Sequence, residues 1–241
     1  MKRILIGAIA TIALAASTLA VAQVAASTAS ASTTDVPFDF RGAKLGMTLA
    51  DFRAMPFPDP ESRSLGAGLA KTVKLVCTGD QLGETYDPIY VSPIEASVGA
   101  IDCAWMLPPD AKRYQFTWTR AYVDVGEYTS IHVEYRFAPS ASGELALRQI
   151  AISLSTKAFQ ETVAGLRTRF GAPAAEVQGK VQNGIGNSFD STTVEWKNSV
   201  SSLVVIERAG TINEMGMLYT NIPLDTAFRA KVKSLQGPPK L

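Results

Sequence analysis

The sequence predicts an α+β fold in which helices pack on an antiparallel β-sheet. Apolar residues alternate with polar ones along several segments, which is typical of strands with one buried face. Two longer segments, within residues 156–170 and 224–235, instead carry apolar residues at helical spacing. The order helix, strands, helix, strands suggests two tandem similar halves, residues 38–154 and 155–241.

The N-terminal residues 1–22 have the pattern of a secretory signal peptide. Lys2 and Arg3 form a basic start, an uncharged run follows, and Ala20–Ala22 provides a cleavage site of small residues. A retained membrane anchor is the alternative, since the uncharged run is just long enough to span a bilayer. A later cut at Ala29–Ala31 also fits. We expect cleavage, and therefore a periplasmic or secreted protein without a stable membrane anchor.

Residues 23–37 predict a flexible linker, because they are dominated by Ala, Ser and Thr and contain no apolar residue larger than Val. We expect order from Phe38 onward, so that residues 38–241 form the globular region. Cleavage after Ala22 removes two positive charges and no negative one, so the formal net charge falls from +1 to −1. A nearly neutral chain gives no electrostatic reason to bind nucleic acid.

A short helix is predicted to begin after Thr48, whose hydroxyl can accept a hydrogen bond from the first helical turn. Asp51 stands where a capping box has its acidic partner. Leu49 and Phe52 are three residues apart, so both are expected to face the core. The helix ends before Pro56, because proline has no backbone N–H with which to continue it.

Cys77 and Cys103, the only cysteines, fall on the apolar faces of two predicted strands. Export would place them in an oxidising compartment, where thiols pair. We therefore expect a structural disulfide between them, worth roughly 3–4 kcal/mol in the chain-entropy model. Two free buried thiols, or a redox pair without the usual C-x-x-C spacing, are the alternatives. The Gly- and Pro-containing segment 78–99 predicts a long loop.

Further strands are predicted in the first half. Tyr114, Phe116 and Trp118 alternate with polar residues and are predicted to be core residues, with an exposed aromatic binding face as the alternative. Residues 129–154 predict an antiparallel hairpin, because turn residues at 140–143 separate two apolar runs. Such a hairpin is expected to have one buried and one solvent-exposed face.

The segment Thr156–Phe170 predicts an amphipathic helix that packs on this sheet, because its apolar residues form one stripe. Gly171 and Pro173 are expected to end it. Gly184–Asn187 contains G-x-G but lacks the rest of a dinucleotide-binding fingerprint, so a hairpin turn is predicted. Asp225 is predicted to cap a final helix. Three strands are predicted between the two helices, at residues 192–197, 202–208 and 214–221.

Two stretches, Gly42–Thr48 with Phe52 and Phe159–Pro173, resemble the helix-opening and helix-closing patterns of exported helix-on-sheet modules. This group includes the β-lactamase-inhibitor-protein-like modules and the small outer-membrane assembly lipoproteins of the SmpA/OmlA type. The resemblance implies helices on a sheet, a role in binding other proteins, and no catalytic site. The chain departs from the lipoproteins because it lacks the cysteine that accepts the lipid.

The sequence contains no catalytic or metal-binding motif, so no catalytic residue, metal or cofactor is predicted. His132 is the only histidine, and its strand neighbours are expected to point inward, which leaves it facing solvent. A glycosidase needs two acids that face each other across a cleft. The alternation places Glu134 and Glu195 on the solvent-exposed face. Four carboxylates lie in or near predicted strands: Asp102, Asp124, Glu134 and Glu195.

These observations favour a non-enzymatic binding module for an envelope protein or another envelope component. A hydrolase acting on cell-wall or extracellular polymer is the first alternative, and it requires a deep pocket with two facing acids. A carrier of an apolar small molecule is the second alternative, and it requires a sizeable apolar cavity between helix and sheet.

Overall fold

The computed structural model describes residues 36–82, 89–113 and 115–236, which all belong to one unit spanning Ala31–Leu241. The predicted signal peptide and the predicted linker up to Asp35 lie outside the described residues. Regular structure begins at Asp39, next to the predicted start at Phe38. Within the described ranges, no helix is long and apolar enough to cross a membrane.

The strands form two short hairpins and one large antiparallel sheet. The hairpins pair β1 (Asp39–Phe40) with β2 (Ala43–Lys44) and β6 (Asp124–Val125) with β7 (Tyr128–Thr129). Nine strands form the large sheet: β3 (Lys74–Cys77), β4 (Ile101–Leu107), β5 (Thr119–Arg120), β8 (His132–Pro139), β9 (Leu145–Ser155), β10 (Ala175–Gln182), β11 (Ser188–Lys197), β12 (Ser201–Ile206) and β13 (Glu214–Asn221). Their order is β10-β11-β12-β13-β9-β8-β4-β3, with β5 also paired to β4.

Helices lie on both faces of the large sheet, so the predicted α+β class is confirmed. The helices are α1 (Leu49–Arg53), α2 (Ala67–Ala70), α3 (Pro93–Ser97), α4 (Phe159–Phe170) and α5 (Ile222–Gln236). We call the face that carries α1 and α4 the inner face, and the opposite one the outer face. On the inner face, Phe52 of α1 is fully buried against the rings of Tyr135 and Phe137, and α4 buries its apolar stripe in the same core. On the outer face, Phe228 of α5 is buried against Ala138 of β8.

The predicted ends of α1 and the predicted end of α4 are confirmed, whereas the two predicted starts at Thr156 and Asp225 are not. Residues Thr156–Ala158 form a 3-10 turn, and α4 begins at Phe159. The Thr48 hydroxyl accepts a hydrogen bond from the backbone N–H of Asp51 at 3.0 Å and donates one to its carboxylate at 2.9 Å. Gly171 follows α4 with a φ of 79°, which glycine adopts without strain. The capping prediction for Asp225 is wrong, because Asn221 accepts from the first turn instead. Asp225 lies inside α5, where it forms ion pairs.

The predicted disulfide is confirmed. Cys77 and Cys103 stand directly opposite each other on β3 and β4, and their sulfur atoms are bonded. Both residues are buried on the inner face. The alternatives of free thiols and of a reduced redox pair do not describe this structure.

One predicted strand is wrong, and one strand of the structure was not predicted. Tyr114 lies outside the described residues, and Phe116 is 72% exposed rather than in the core. The Gln115 side chain donates to the carbonyls of Leu107 and Pro108, which holds this segment in a turn instead of a strand. The strand that was not predicted is β10. It is exposed along nearly its whole length and shows no alternation of apolar and polar residues.

The predicted hairpin 129–154 is confirmed as β8 and β9, but its outer face is not exposed to solvent. Glu134 is only 7% exposed, so the prediction that it lies on a solvent-exposed face is wrong. Alternation within one strand cannot show that α3 and α5 cover this face. The expected halves, 38–154 and 155–241, share one sheet, since β9 crosses the boundary between them. A duplication stays a prediction.

Candidate functional site

A cavity of about 500 Å³ lies between α4 and the inner face of the sheet. We call it the helix cavity. Phe40 of β1, Leu166 of α4, and Met217 and Tyr219 of β13 give it apolar walls. All four side chains are buried in the hydrophobic core. The cavity therefore reaches the core itself, at the place where helix and sheet meet.

Small residues on α4 leave room for the helix cavity. Ala164 and Gly165 line it, and a Cβ atom built on Gly165 would have no neighbouring heavy atom within 4 Å. Val163 and Leu166 are buried and hold the helix against the sheet. Glycine inside a helix costs about 1 kcal/mol relative to alanine. The lack of bulk at Gly165 is the local reason that this space is not filled.

The two arginines that line the helix cavity are paired with neighbouring carboxylates. The Arg169 guanidinium donates to Asp39 at 2.7 Å, and Arg41 donates to Asp59 at 3.2 Å. Both arginines are partly exposed. The helix cavity thus combines apolar walls in the core with a polar, largely neutralised rim.

Asp124 also lines the helix cavity, but its carboxylate is already hydrogen-bonded to three groups of the protein. It accepts hydrogen bonds from the backbone N–H of Arg63 at 2.8 Å, from Thr129 at 3.0 Å and from Ser64 at 3.3 Å. Burial alone would raise the pKa of Asp124, but these bonds outweigh it and lower the pKa. Asp124 is therefore an ionised structural group that fixes the loop beside the cavity.

The other three carboxylates in or near the predicted strands lie outside the helix cavity. Asp102 and Glu134 are on adjacent strands of the outer face, with Arg136 between them: its guanidinium is 2.9 Å from Glu134 and 3.8 Å from Asp102. Glu195 is half-buried on β11. His132 is also half-buried, with Nε2 3.7 Å from Glu134, rather than directed wholly to solvent.

The environments of Asp102 and Glu134 move their pKa values in opposite directions. Burial, together with the nearby Glu134 charge, raises the pKa of Asp102 to about 7. Burial opposes ionisation of Glu134 too, but His132 and Arg136 lower its pKa to about 2. Because an arginine separates the two carboxyl groups, they do not face each other across an open cleft as a glycosidase requires.

Met217 and Tyr219 lie in the predicted strand 214–221, but the strand pattern does not connect them with a cavity. The signal that could have done so is Gly165, an isolated glycine within an otherwise strongly amphipathic helix. A glycine at such a position often has a packing or functional reason. The pairing of this helix face with β13 needed the three-dimensional structure.

Within the three described segments, no group of three His, Cys, Asp or Glu side chains could hold a metal ion. Comparisons with protein-family models, curated proteins and solved structures found no match to this chain. The resemblance to exported helix-on-sheet modules therefore rests on the sequence stretches alone.

Proposed function

We propose that this chain is an exported, non-enzymatic binding protein that accepts an apolar group of an envelope component in the helix cavity. The observation that carries the proposal is the cavity of about 500 Å³ between α4 and β13. Its size falls in the range of small-molecule sites. Protein interiors are otherwise close-packed, with few voids larger than a water molecule.

The lining of the helix cavity supports an amphiphilic ligand. The aromatic and aliphatic walls suit a hydrocarbon or ring, and burial raises the pKa of the Tyr219 phenol, which keeps that wall uncharged. Arg41 and Arg169 would then meet the polar end of the ligand at the rim. Export is supported by the signal-peptide pattern and fits the Cys77–Cys103 disulfide.

The polymer hydrolase alternative finds less support in the helix cavity. A general acid needs a raised pKa, whereas that of Asp124 is lowered. Glu161, the other acid in the lining, is exposed and accepts from the backbone N–H of Glu127 at 3.4 Å. Asp124, whose carboxylate is held ionised, is therefore unsuited to act as the general acid.

Binding of an envelope protein is a second candidate, and β10 is the observation that favours it. Among the described strands, β10 pairs with β11 alone, so within this part of the chain its other edge presents unpaired backbone donors and acceptors. Such an edge can add a strand from a partner. A Gln178→Pro variant should then abolish crosslinking to envelope proteins, because it removes an N–H at this edge. Unchanged crosslinking would speak against β10 as the interface.

The test of the main proposal compares two variants of α4 in the mature protein. Gly165→Leu puts a side chain into the helix cavity, whereas Gln160→Leu adds the same side chain on the exposed side of the helix. The probe is N-phenyl-1-naphthylamine, an apolar dye that fluoresces in apolar surroundings. We expect saturable binding by the native chain and by Gln160→Leu, and loss of binding by Gly165→Leu. Equal binding by both variants would contradict the proposal.

A further inference from the structure

A second cavity, of about 600 Å³, lies on the outer face of the sheet between α3, α5 and strands β8 and β9. We call it the basic cavity. Four of its lining residues are cationic and, among those described, Glu95 is the one acid. The cations come from both the sheet and the helix: Arg136, Arg148, Arg229 and Lys233.

Arg148 is the buried member of this group, with only 4% of its side chain exposed. It occupies the irregular position of β9 where the register with β8 shifts, and so its side chain reaches the outer face. The guanidinium stacks 4.1 Å from the centre of the Phe228 ring and donates to Asp225 at 2.6 Å. Its Nε has no hydrogen-bond partner among the described residues. A buried donor of this kind is uncommon unless a ligand or water meets it.

Too few carboxylates surround the basic cavity to neutralise it. Asp225 is shared between Arg148 and Arg229, each at 2.6 Å. Glu134 is likewise shared between Arg136 at 2.9 Å and Arg120 at 3.2 Å. Each carboxylate therefore serves two guanidinium groups.

Three further groups complete the charge balance. Asp102 lies 3.8 Å from Arg136, but burial raises its pKa to about 7, so at neutral pH it supplies only part of a negative charge. Glu95 lies 3.7 Å from Arg148 and balances one cation. Lys233 lines the cavity one turn beyond Arg229 and has no ion pair with a described residue. The cavity therefore has an excess of positive charge with unused donors.

We propose that the basic cavity binds a small organic oxyanion, a carboxylate or a phosphate ester, whose oxygens are held by Arg136, Arg148 and Lys233. Guanidinium groups match the geometry of both oxyanions. Phe228 and Val232 supply an apolar wall for the organic part of the ligand. The basic cavity lies on the face opposite the helix cavity, so this site is independent of the proposed function.

The test uses inorganic phosphate and citrate, titrated separately into the mature protein while backbone amide shifts are recorded by NMR. We expect saturable shifts that centre on Arg148 and on α5 with at least one of the two anions. The anion that binds more tightly identifies the headgroup. The absence of saturable shifts with either anion at millimolar concentration would overturn the proposal.

Two lysines of α5 provide a matched pair of variants. Lys233 lines the basic cavity, whereas Lys231 is exposed on the same helix and does not. Lys233→Gln should weaken anion binding about three- to tenfold, the effect of losing one partly screened charge. Lys231→Gln should change it little. Equal weakening by the two variants would show diffuse attraction by the helix and would overturn the assigned site.

A third variant tests the buried guanidinium. Arg148→Lys keeps a positive charge opposite Asp225 but removes the planar donor group. Gly165→Leu, in the other cavity, serves as its control. If the native fold is retained by circular dichroism, we expect weaker anion binding in Arg148→Lys and unchanged binding in Gly165→Leu. Unchanged binding in Arg148→Lys would contradict the role of this residue.

Discussion

Replacing Asp102 with asparagine should make the protein less sensitive to pH between about pH 5 and pH 8. Asp102 is 8% exposed and faces Glu134 and Arg136 from β8, Arg148 from β9 and Glu95 from α3. Its pKa rises from 3.8 to about 7 on folding. A carboxyl group of this kind binds its proton more tightly in the folded chain, so its stabilising contribution is complete at low pH and is lost as the pH rises toward 7.

The size of the effect follows from the same shift. One pKa unit corresponds to about 1.4 kcal/mol, so ionisation of Asp102 should lower the free energy of unfolding by about 2–3 kcal/mol between pH 5 and pH 8. Asp102→Asn removes this loss, so the variant should be more stable than the native chain near pH 8. Glu134, with a pKa of about 2, stays ionised throughout and contributes no slope.

Urea unfolding followed by circular dichroism at a series of pH values measures this slope. Asp190→Asn is the control, because this exposed carboxylate has a lowered pKa and stays ionised over the range. We expect a flatter stability profile in Asp102→Asn and a native profile in Asp190→Asn. Parallel profiles for the native chain and Asp102→Asn would refute the reasoning.

Three stability predictions concern the disulfide, the aromatic core and the open position on α4. Replacing both Cys77 and Cys103 with alanine should lower the free energy of unfolding by about 3.5 kcal/mol, since the bridge closes a separation of 26 residues; an unchanged urea midpoint would contradict this. Phe52→Ala should cost about 3–5 kcal/mol by the same assay, because the ring is fully buried among aromatic neighbours, and a loss below 1 kcal/mol would show a core that refills the space. Gly165→Leu should raise stability by about 0.5–1 kcal/mol, because the position is open and helical; destabilisation would mean that the space is already filled.

The sequence predicted those features that depend on neighbouring residues. Thr48 with Asp51 could be identified as a helix start, because capping is decided within one turn. Period-two alternation placed both cysteines on strand faces, and with only two cysteines the pairing had one solution. The stripe on α4 was visible for the same reason, since helical spacing is a local property.

The features that were missed depend on what covers each element. Glu134 alternates like an exposed residue, but it is buried in the folded chain, with Arg120, His132 and Arg136 around its carboxylate. β10 carries no buried side, because it is an edge strand that pairs with β11 and otherwise forms exposed ion pairs, Glu176 with Arg167 of α4 and Lys180 with Asp190 of β11. Both cavities form where a helix lies against strands that the sequence pattern does not connect with it. A local signal such as Gly165 can indicate missing bulk on a helix, but it does not show which strand lies opposite.

The occupancy of the helix cavity tests the account most directly. Mature protein purified from envelope fractions, extracted with organic solvent and examined by mass spectrometry, should release a specific amphiphilic molecule. The Gly165→Leu variant, prepared in the same way, should release none, while Gln160→Leu should release the native amount. Recovery of the same molecule from Gly165→Leu, or of no specific molecule from the native protein, would contradict the account.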